Sequence, residues 1–416
     1  MVFSKQAISE WRNFWHLPIA AALGYATSVI FIYSMGPFIE PIQAEFGWSR
    51  AQISSGITIT ALFSAILSIP IGILVDKIGP RKIGLIGVPL MGLAVALMGT
   101  ATGDKTNWFI LCGFLAFAML WVQATVWTSA VTSRFQSSRG LALAITLSGA
   151  SFSATIFPIL ATWLIGEYGW RHAYMGMSLI WVSIAFPIMF FFFRGAHDQK
   201  VKASDSKTCV KAELKGLSLS QGLRSIALYK LIMAGGFFAF TAIGVVVHFV
   251  PILKDSGTDA LTAAGIAALI GIFSIIGRLG TGVLLDIFSA HVIGGFAFLI
   301  PIVACALLIV DGANPVSQAF AAAIFGLTLG SEVDVIAYLA AKYFGLKSFG
   351  ALYGAMVMSL SLGTAFGPLA AGAVHDHFNS YEPFLILTSV LMGLSAIALF
   401  SLKSTPDAES YEIQNA

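Results

Sequence analysis

The sequence predicts an all-α membrane protein whose chain crosses the bilayer twelve times, from its composition, its segment lengths and its charge distribution. Of its 416 residues, 57% are hydrophobic and only 10% are charged, and the mean hydropathy is +0.87. Soluble domains carry about 25% charged residues, so this composition excludes that class. A bilayer core needs about 20 apolar residues per helix, and such segments recur from residue 14 to residue 402. Continuous apolar runs also exclude a transmembrane barrel, whose strands alternate apolar and polar positions.

Clusters of Gly, Pro and charged residues separate twelve apolar segments. A long polar stretch after the sixth segment predicts a six-helix bundle over 1–194, a cytoplasmic linker over 195–226, and a second six-helix bundle with a short tail over 227–416. The first segment has no small-residue cleavage site, which indicates a retained helix rather than a signal peptide. The predicted spans are 15–39, 51–75, 83–103, 107–132, 139–166, 171–194, 227–253, 260–285, 289–311, 315–341, 348–375 and 381–402.

The two halves of the chain resemble each other at a fixed offset of 210 residues. Several matches that share one offset, close to half the chain length, indicate two pseudo-symmetric bundles of parallel topology. Repeats of this kind commonly place a substrate site near the membrane midplane, between the halves. The matching pairs include Pro41 with Pro251, Gly47 with Gly257, Asp76 with Asp286, Gly140 with Gly350, and Pro158 with Pro368.

The Lys and Arg residues predict the orientation. When alternate loops are assigned to opposite sides, 18 of the 23 fall on the side of both termini and the linker, and 4 fall on the other. Positive charge marks the cytoplasmic side, so both termini are predicted to be cytoplasmic. The one remaining cation is Arg278, inside the eighth segment. Among the acids, only Glu332 and Asp334 lie well inside a segment.

The loop after the second segment reads GILVDKIGPRK, residues 72–82. It closely resembles the signature of the major facilitator superfamily, and with the six-plus-six repeat the resemblance covers essentially the whole chain. The resemblance implies that charged residues of this loop bridge neighbouring helix ends in one state of a rocking motion. The second copy, GTGVLLDIFSAH, keeps the aspartate but lacks the basic residues. The residues of this conformational motif are Gly72, Asp76, Gly79, Arg81, Lys82 and Asp286.

Three further stretches resemble the monocarboxylate transporter and oxalate:formate antiporter group: YSMGPFIEPIQAEFGWSRAQIS, SSRGLALAITLSGASF and GWRHAY. Arg278 falls where that group carries an arginine on its eighth helix, and the resemblance implies that it binds the substrate carboxylate. Two positions depart from the group's pattern. Met356 stands where the oxalate antiporter has a second cation, and Ser274 stands where animal carriers have an aspartate. We therefore expect a monocarboxylate rather than oxalate.

An arginine at the bilayer centre is costly unless it faces the bundle interior and has a partner. Arg278 lies eight residues before Asp286, roughly 12 Å along the helix. Asp334 lies eight residues before Lys342, which predicts the same depth on the tenth segment. Glu332 should lie about 3 Å away along the axis and point to the opposite side from Asp334. We favour Asp334 as the partner of the arginine or the proton carrier, with Glu332 as the competing candidate; a static pair that only fixes two helices is the structural alternative.

One cation and one titratable acid are sufficient for proton-linked carriage of an organic monoanion. The sequence therefore predicts a secondary active transporter, most simply a proton symporter. The alternatives are an organic-anion antiporter and a proton-driven exporter of drugs or other small molecules, which usually depends on acids in the first half. A non-transporting membrane receptor would need no charged midplane. No nucleophile–base or metal constellation stands out in the sequence, so we expect neither an enzyme nor a cofactor.

Other polar and aromatic residues are weaker candidates for the substrate cavity, and helix packing explains each of them as well. Tyr33 matches a cavity tyrosine of the family. Small or aliphatic residues at the aromatic-cage positions of the oxalate antiporter leave room for a larger acid, including an aromatic one. The weaker candidates for substrate contact are Tyr33, Tyr25, Gln123, Tyr338, Tyr353 and Met356.

The remaining expectations concern partners and location. We expect a monomer in contact with membrane lipids, with protons and a small carboxylate as its transported partners and no nucleic acid. His248, His375 and His377 are interpreted as solvated or packing histidines rather than proton relays, and HDH alone is a weak metal motif. The three cysteines are interpreted as small hydrophobic residues. Short loops favour a bacterial inner membrane.

Overall fold

The computed structural model describes residues 5–195, 217–345 and 349–402. Within its helices the structure does not describe the side chains of a few residues, including Asp76, Asp286 and Asp334, or the surroundings of Gly72. The described residues form helices joined by short loops, without strands. In chain order the helices are α1 (Lys5–Phe14), α2 (His16–Ser28), α3 (Ile30–Phe46), α4 (Arg50–Ile78), α5 (Pro80–Met98), α6 (Lys105–Leu120), α7 (Ala124–Thr132), α8 (Arg139–Phe192), α9 (Leu219–Arg224), α10 (Ile226–Asp255), α11 (Ala260–Ile287), α12 (Ala290–Leu299), α13 (Pro301–Val310), α14 (Pro315–Phe344), α15 (Phe349–Phe378) and α16 (Glu382–Phe400).

The all-helical membrane fold with twelve crossings is confirmed. Eleven helical stretches among the described residues are long and apolar enough to cross a membrane. One of them, α8, has 54 residues and would extend roughly 80 Å if straight, more than twice the thickness of a bilayer core. Gly169 interrupts it with φ 75° and ψ 161°, a backbone conformation outside the helical region. α8 therefore contains the fifth and sixth spans, which brings the total to twelve.

Three predicted spans are interrupted helices, which the apolar patterning did not predict. In the ninth span α12 ends before Pro301, because proline lacks the N–H that would continue the helix. In the fourth span α6 and α7 are separated at residues 121–123, and the carbonyl of Val122 accepts a hydrogen bond from the indole Nε1 of Trp127 at 2.8 Å. In the first span, Ser28 Oγ bonds the carbonyl of Tyr25 at 2.7 Å just before the break, a type of contact that bends helices.

Two helices lie outside the predicted spans. α1 precedes the first span, and α9 lies in the predicted linker, most of which falls outside the described residues. Ser218 begins α9 with a reciprocal capping box, accepting from the backbone of Gln221 and donating its own N–H to that side chain. Local capping chemistry therefore explains a short helix that hydropathy did not reveal.

The repeat is visible in the backbone. Gly47 and Gly257, which the offset of 210 residues relates, both take positive φ, at 66° and 94°. Each follows a long membrane helix, where a left-handed residue ends the helical turn, and glycine adopts that conformation without steric strain. The matched glycines therefore terminate matched helices.

The described chain divides into two compact units. Unit 1 holds the described residues up to 195 together with Val246–Ile272, and unit 2 holds 217–245 and the described residues from Phe273 onward. Unit 1 thus contains the last third of α10 and the first half of α11 besides the first six spans. The predicted bundles 1–194 and 227–416 follow the sequence repeat and stay a prediction.

Each unit has its own apolar core. In unit 1, Phe38 and Tyr174 stack with ring centroids 3.7 Å apart, and Trp108 and Trp127 are almost fully buried. In unit 2, Phe238 and Phe298 stack at 4.7 Å within a cluster that contains Leu228, Val335, Leu339, Met356 and Met392.

Candidate functional site

Arg278 lies on α11 in unit 2, where α11 and α14 cross in close contact. Two glycines form the contact: a Cβ added to Gly330 would overlap the carbonyl oxygen of Ser274, and one added to Gly277 would overlap the carbonyl of Leu327. The Cβ added to Gly330 would also lie 2.8 Å from the backbone nitrogen of Arg278. Glycine is required here because any side chain would push the two backbones apart. The half-buried arginine is therefore presented at a close helix crossing.

A hydroxyl pair fixes the same crossing one turn further along. Thr281 Oγ1 donates to Ser331 Oγ at 2.6 Å, and Ser331 Oγ bonds the carbonyl of Leu327 at 2.7 Å. Both side chains are buried. Hydrogen bonds of this kind between membrane helices stabilise one register over others, by roughly 0.6 kcal/mol each on average. α11 and α14 therefore have a defined register at Arg278.

Glu332 is a buried acid two residues along α14 from Gly330, the glycine that meets the backbone of Arg278. It is 6% exposed, and its Oε1 has no hydrogen-bond partner among the described residues. The positive charge of Arg278 acts on this carboxyl electrostatically. Burial penalises a charged carboxylate whereas a cation stabilises it, so these two effects oppose each other at Glu332.

The observed register differs from the one obtained by counting residues to the helix ends. Arg278 faces Gly330, so Glu332 lies two residues along α14 from the crossing and Asp334 lies four. The difference arises because α14 continues further beyond the crossing than α11 does, by about five residues or roughly 7 Å. The side chain of Asp334 lies outside the described residues.

The other predicted site residues of unit 2, Met356, Tyr353 and Tyr338, differ in how deeply they are buried. Met356 is fully buried in the core of unit 2, and Tyr353 packs against that core. Tyr338 is 36% exposed, with the ammonium of Lys342 lying 5.4 Å from its ring centroid. In this conformation Met356 has a packing role, and its contact with a substrate stays a prediction.

An apolar cavity of about 380 Å³ also lies in unit 2, between α10, α15 and α16. Phe237, Phe240, Leu362 and Phe366 contribute to its walls, and none of the predicted site residues lines it. We therefore do not assign it to the site.

The predicted site residues of unit 1 lie on α2, α3 and the break in the fourth span. Tyr33 lines a cavity of about 10 Å³ with Pro37, Val250 and Ile270, a volume near the minimum for one water. The interruption at Val29 separates Tyr25 on α2 from Tyr33 on α3. Gln123 is half-buried at the start of α7, where its carbonyl accepts the N–H of Val126 at 3.0 Å.

The residues of the predicted conformational motif surround the turn between α4 and α5. Gly79 has φ 91°, which allows the sharp turn before Pro80. Arg81 Nη2 donates to the carbonyl of Phe190 on α8 at 2.8 Å, and Lys82 is exposed. The side chains of Asp76 and Asp286, and the surroundings of Gly72, lie outside the described residues.

Sequence reasoning missed a buried carboxylate, that of Glu10, at the predicted cytoplasmic side. Glu10 on α1 accepts hydrogen bonds from the backbone of Gln136, Ser137 and Ser138 at 3.0, 2.9 and 3.1 Å, and from the Ser138 hydroxyl at 2.8 Å. Desolvation by burial raises the pKa of Glu10, but these four hydrogen bonds outweigh it and leave the pKa below its usual value of 4.5. These N–H groups lie just before α8, where no preceding turn of helix supplies an acceptor, and the run FQSSRG is the local signal for them.

Across the described residues, no group of three His, Cys, Asp or Glu side chains is arranged to hold a metal ion.

The sequence profile of the Major Facilitator Superfamily matches residues 21–356, more than three quarters of the chain. The chain belongs to the Major Facilitator Superfamily. Members of this superfamily are transporters rather than enzymes, and this chain is a multi-pass membrane transport protein.

Individual Major Facilitator relatives agree with this assignment. Monocarboxylate transporter 13 of Rattus norvegicus is 26% identical over 404 residues, covering 92% of this chain and 88% of the relative. The probable nitrate transporter NarT of Staphylococcus epidermidis is 26% identical over 381 residues, covering 90% and 92%. A solved structure of a bacterial homologue of the human lysosomal transporter Spinster superposes with a TM-score of 0.71 at 16% identity, covering 96% and 98%, and shows the shared fold.

Proposed function

We propose that this transporter carries a small organic monoanion, a monocarboxylate, by alternating access and in symport with a proton. The observation that carries the proposal is that Arg278 lies at a glycine-mediated helix crossing and that the buried acid Glu332 lies two residues along α14 from the glycine of that crossing. A charged arginine inside a membrane span is costly and is retained where it binds an ion or takes part in charge transfer.

Charge balance gives the coupling. When Glu332 is protonated, the substrate carboxylate balances the charge of Arg278, and the guanidinium can bind it with two parallel hydrogen bonds. When the substrate leaves, Glu332 releases its proton and its carboxylate balances the arginine instead. One anion and one proton then move together, because neither the arginine nor the acid remains uncompensated in the membrane. Asp334 on the same helix, which the sequence favours for this role, is the other candidate for the proton carrier.

The expected substrate carries one carboxylate. Arg278 is the only cation that topology leaves inside a span, and Met356 stands where a second cation would hold a dianion. The names of two relatives, a monocarboxylate transporter and a probable nitrate transporter, both specify monovalent anions. We propose a monocarboxylate because the stretches that resemble its transporters lie in the first span with its following loop and at the starts of the fifth and sixth spans.

We propose a monomer in a bacterial inner membrane, with cytoplasmic termini and with contacts only to lipid, protons and the substrate. The excess of Lys and Arg on the side of the termini supports the orientation.

Uptake into proteoliposomes tests the proposal. A panel of labelled monocarboxylates, aliphatic and aromatic, together with oxalate and nitrate, is supplied with and without an inward proton gradient. We expect accumulation of at least one monocarboxylate above its equilibrium value only with the gradient. Uptake that ignores the gradient but requires an internal anion would indicate an antiporter. Failure of every acid, together with drug resistance of expressing cells, would favour an exporter.

A further inference from the structure

A second cluster of charged and titratable residues lies away from Arg278, in unit 1, where the last third of α10 packs against α3 and α4. Arg50 at the start of α4 binds Asp255 at the end of α10 with two hydrogen bonds, Nη1 to Oδ2 at 2.8 Å and Nη2 to Oδ1 at 3.1 Å. Arg50 Nε also donates to Gln43 Oε1 at 3.4 Å. This bidentate geometry is the strong form of an arginine–carboxylate pair.

A buried polar contact continues the same interface towards the membrane interior. Ser54 Oγ lies 3.1 Å from His248 Nε2, and both residues are fully buried. Ser54 is one turn from Arg50 on α4, and His248 is two turns from Asp255 on α10, so each pair shares a helix face. His248 is therefore a buried histidine that packs against a polar side chain, and it is not solvated.

The backbones are close as well. A Cβ added to Gly36 on α3 would lie 2.7 Å from the carbonyl oxygen of Val247 on α10. Nearby, Glu40 and Lys254 form an ion pair whose side chains are 57% and 31% exposed. Such solvated pairs contribute little, whereas in the Arg50–Asp255 pair the arginine side chain is only 10% exposed and that of the aspartate 39%. We call the Arg50–Asp255 and Ser54–His248 contacts together the outer lock.

The outer lock joins residues of the first sequence repeat to residues of the second. Arg50 and Asp255 lie at the ends of spans that the charge distribution places on the extracytoplasmic side. In transporters built from repeats, alternating access occurs when one repeat rocks against the other. We propose that the outer lock holds the extracytoplasmic side closed and opens in each transport cycle.

The chemistry of the lock suits a contact that must open. Partly buried ion pairs are weak net stabilisers, because the desolvation penalty offsets much of the attraction. When the helices separate, both charges return to water and that penalty disappears, so opening costs less than the short hydrogen bonds suggest. Apolar packing of the same area would have no such compensation, because opening would expose apolar surface to water.

Chemical labelling tests the lock without knowledge of the substrate. Val250 is 4% exposed and lines the small cavity beside Tyr33, so V250C reports opening from outside. The native thiols Cys112, Cys209 and Cys305 are first replaced by serine, and a membrane-impermeant maleimide is applied to intact cells. We expect slow labelling with the lock present, and labelling faster by roughly tenfold in R50Q or D255N, the factor for loss of one charge-assisted pair.

Another outer ion pair provides the matched control. Arg171 Nη2 binds Glu45 Oε1 at 2.6 Å, with the same chemistry on the same side, but both residues belong to the first repeat. E45Q should therefore leave the labelling of V250C at its original rate. The exchange of charges in R50D/D255R should slow the labelling again relative to either single variant.

Size-exclusion chromatography shows whether each variant is folded. If a single variant gives no folded protein, the comparison is made with the other single variant and with R50D/D255R. Unchanged labelling in folded R50Q and D255N would overturn the proposal. So would an equal increase in E45Q, which would show a general loosening of the outer loops. None of these outcomes depends on Arg278 or on transport of a carboxylate.

Discussion

Gly330 meets the carbonyl oxygen of Ser274 so closely that no side chain fits between the two backbones. This approach brings α14 against α11 next to Arg278, and the Thr281–Ser331 hydrogen bond holds the register. The relation between the arginine and the acids of α14 therefore depends on a residue that contributes no functional group of its own.

The first prediction concerns this crossing. G330A or G277A should destabilise the protein by about 1–3 kcal/mol, because each added methyl overlaps a carbonyl oxygen of the neighbouring helix. A fall of several degrees in Tm in detergent measures it. G280A is the control, since a Cβ at Gly280 meets no neighbour within 4 Å and alanine has the better helix propensity. Equal Tm values for G330A and G280A would contradict the crossing.

The second prediction concerns the cation. R278A should abolish carboxylate uptake, while R278K should retain part of it with KM raised roughly tenfold, because an ammonium offers a charge without the bidentate fork. Initial rates in proteoliposomes at equal amounts of folded protein measure both. R224A, at an exposed arginine of α9, should transport normally. If R278A lost folded protein in proportion to uptake, Arg278 would be a structural residue instead.

The third prediction separates the two acids. E332Q should stop accumulation driven by the proton gradient while exchange of internal for external acid continues, because the amide cannot release a proton. D334N, the matched change two residues away, should retain the response to the gradient. Uptake at several pH gradients, with exchange measured in parallel, distinguishes them. The reverse pattern would assign the proton to Asp334.

The fourth prediction concerns pH and the N-terminal helix. The pKa of Glu10 is below its ordinary value of 4.5, so its charge contributes fully to docking of α1 above pH 4.5. That contribution weakens as the pH falls below 4.5 and disappears below the lowered pKa. Accordingly, E10Q should increase amide hydrogen exchange at Gln136–Ser138 at neutral pH.

Two controls belong to that measurement. The difference between E10Q and the unchanged protein should vanish well below pH 4.5, where both side chains are neutral. E167Q, at an exposed glutamate of α8, should leave exchange at these amides unaltered. A difference that persisted in acid would mean that the charge of Glu10 does not hold the loop.

Prediction from sequence succeeded where the physical signal acts within one segment. Hydropathy located all twelve crossings, and the turn between α4 and α5 appears at the glycine that the motif indicated, Gly79. It was incomplete where two segments meet. Counting residues to helix ends placed Arg278 level with Asp334, whereas the crossing sets it opposite Gly330, because α11 and α14 end at different heights.

The sequence by itself determined the membrane class and the position of Arg278 inside an apolar segment, because the free energy of transferring an apolar or charged side chain into lipid depends mainly on that side chain. Only the tertiary structure decided which residues meet. Arg50 and Asp255 are 205 residues apart, and the glycines at 277 and 330 look like ordinary small residues of apolar helices. Their pairing follows from helix packing, in which backbone distance and register are set by all the side chains of an interface together.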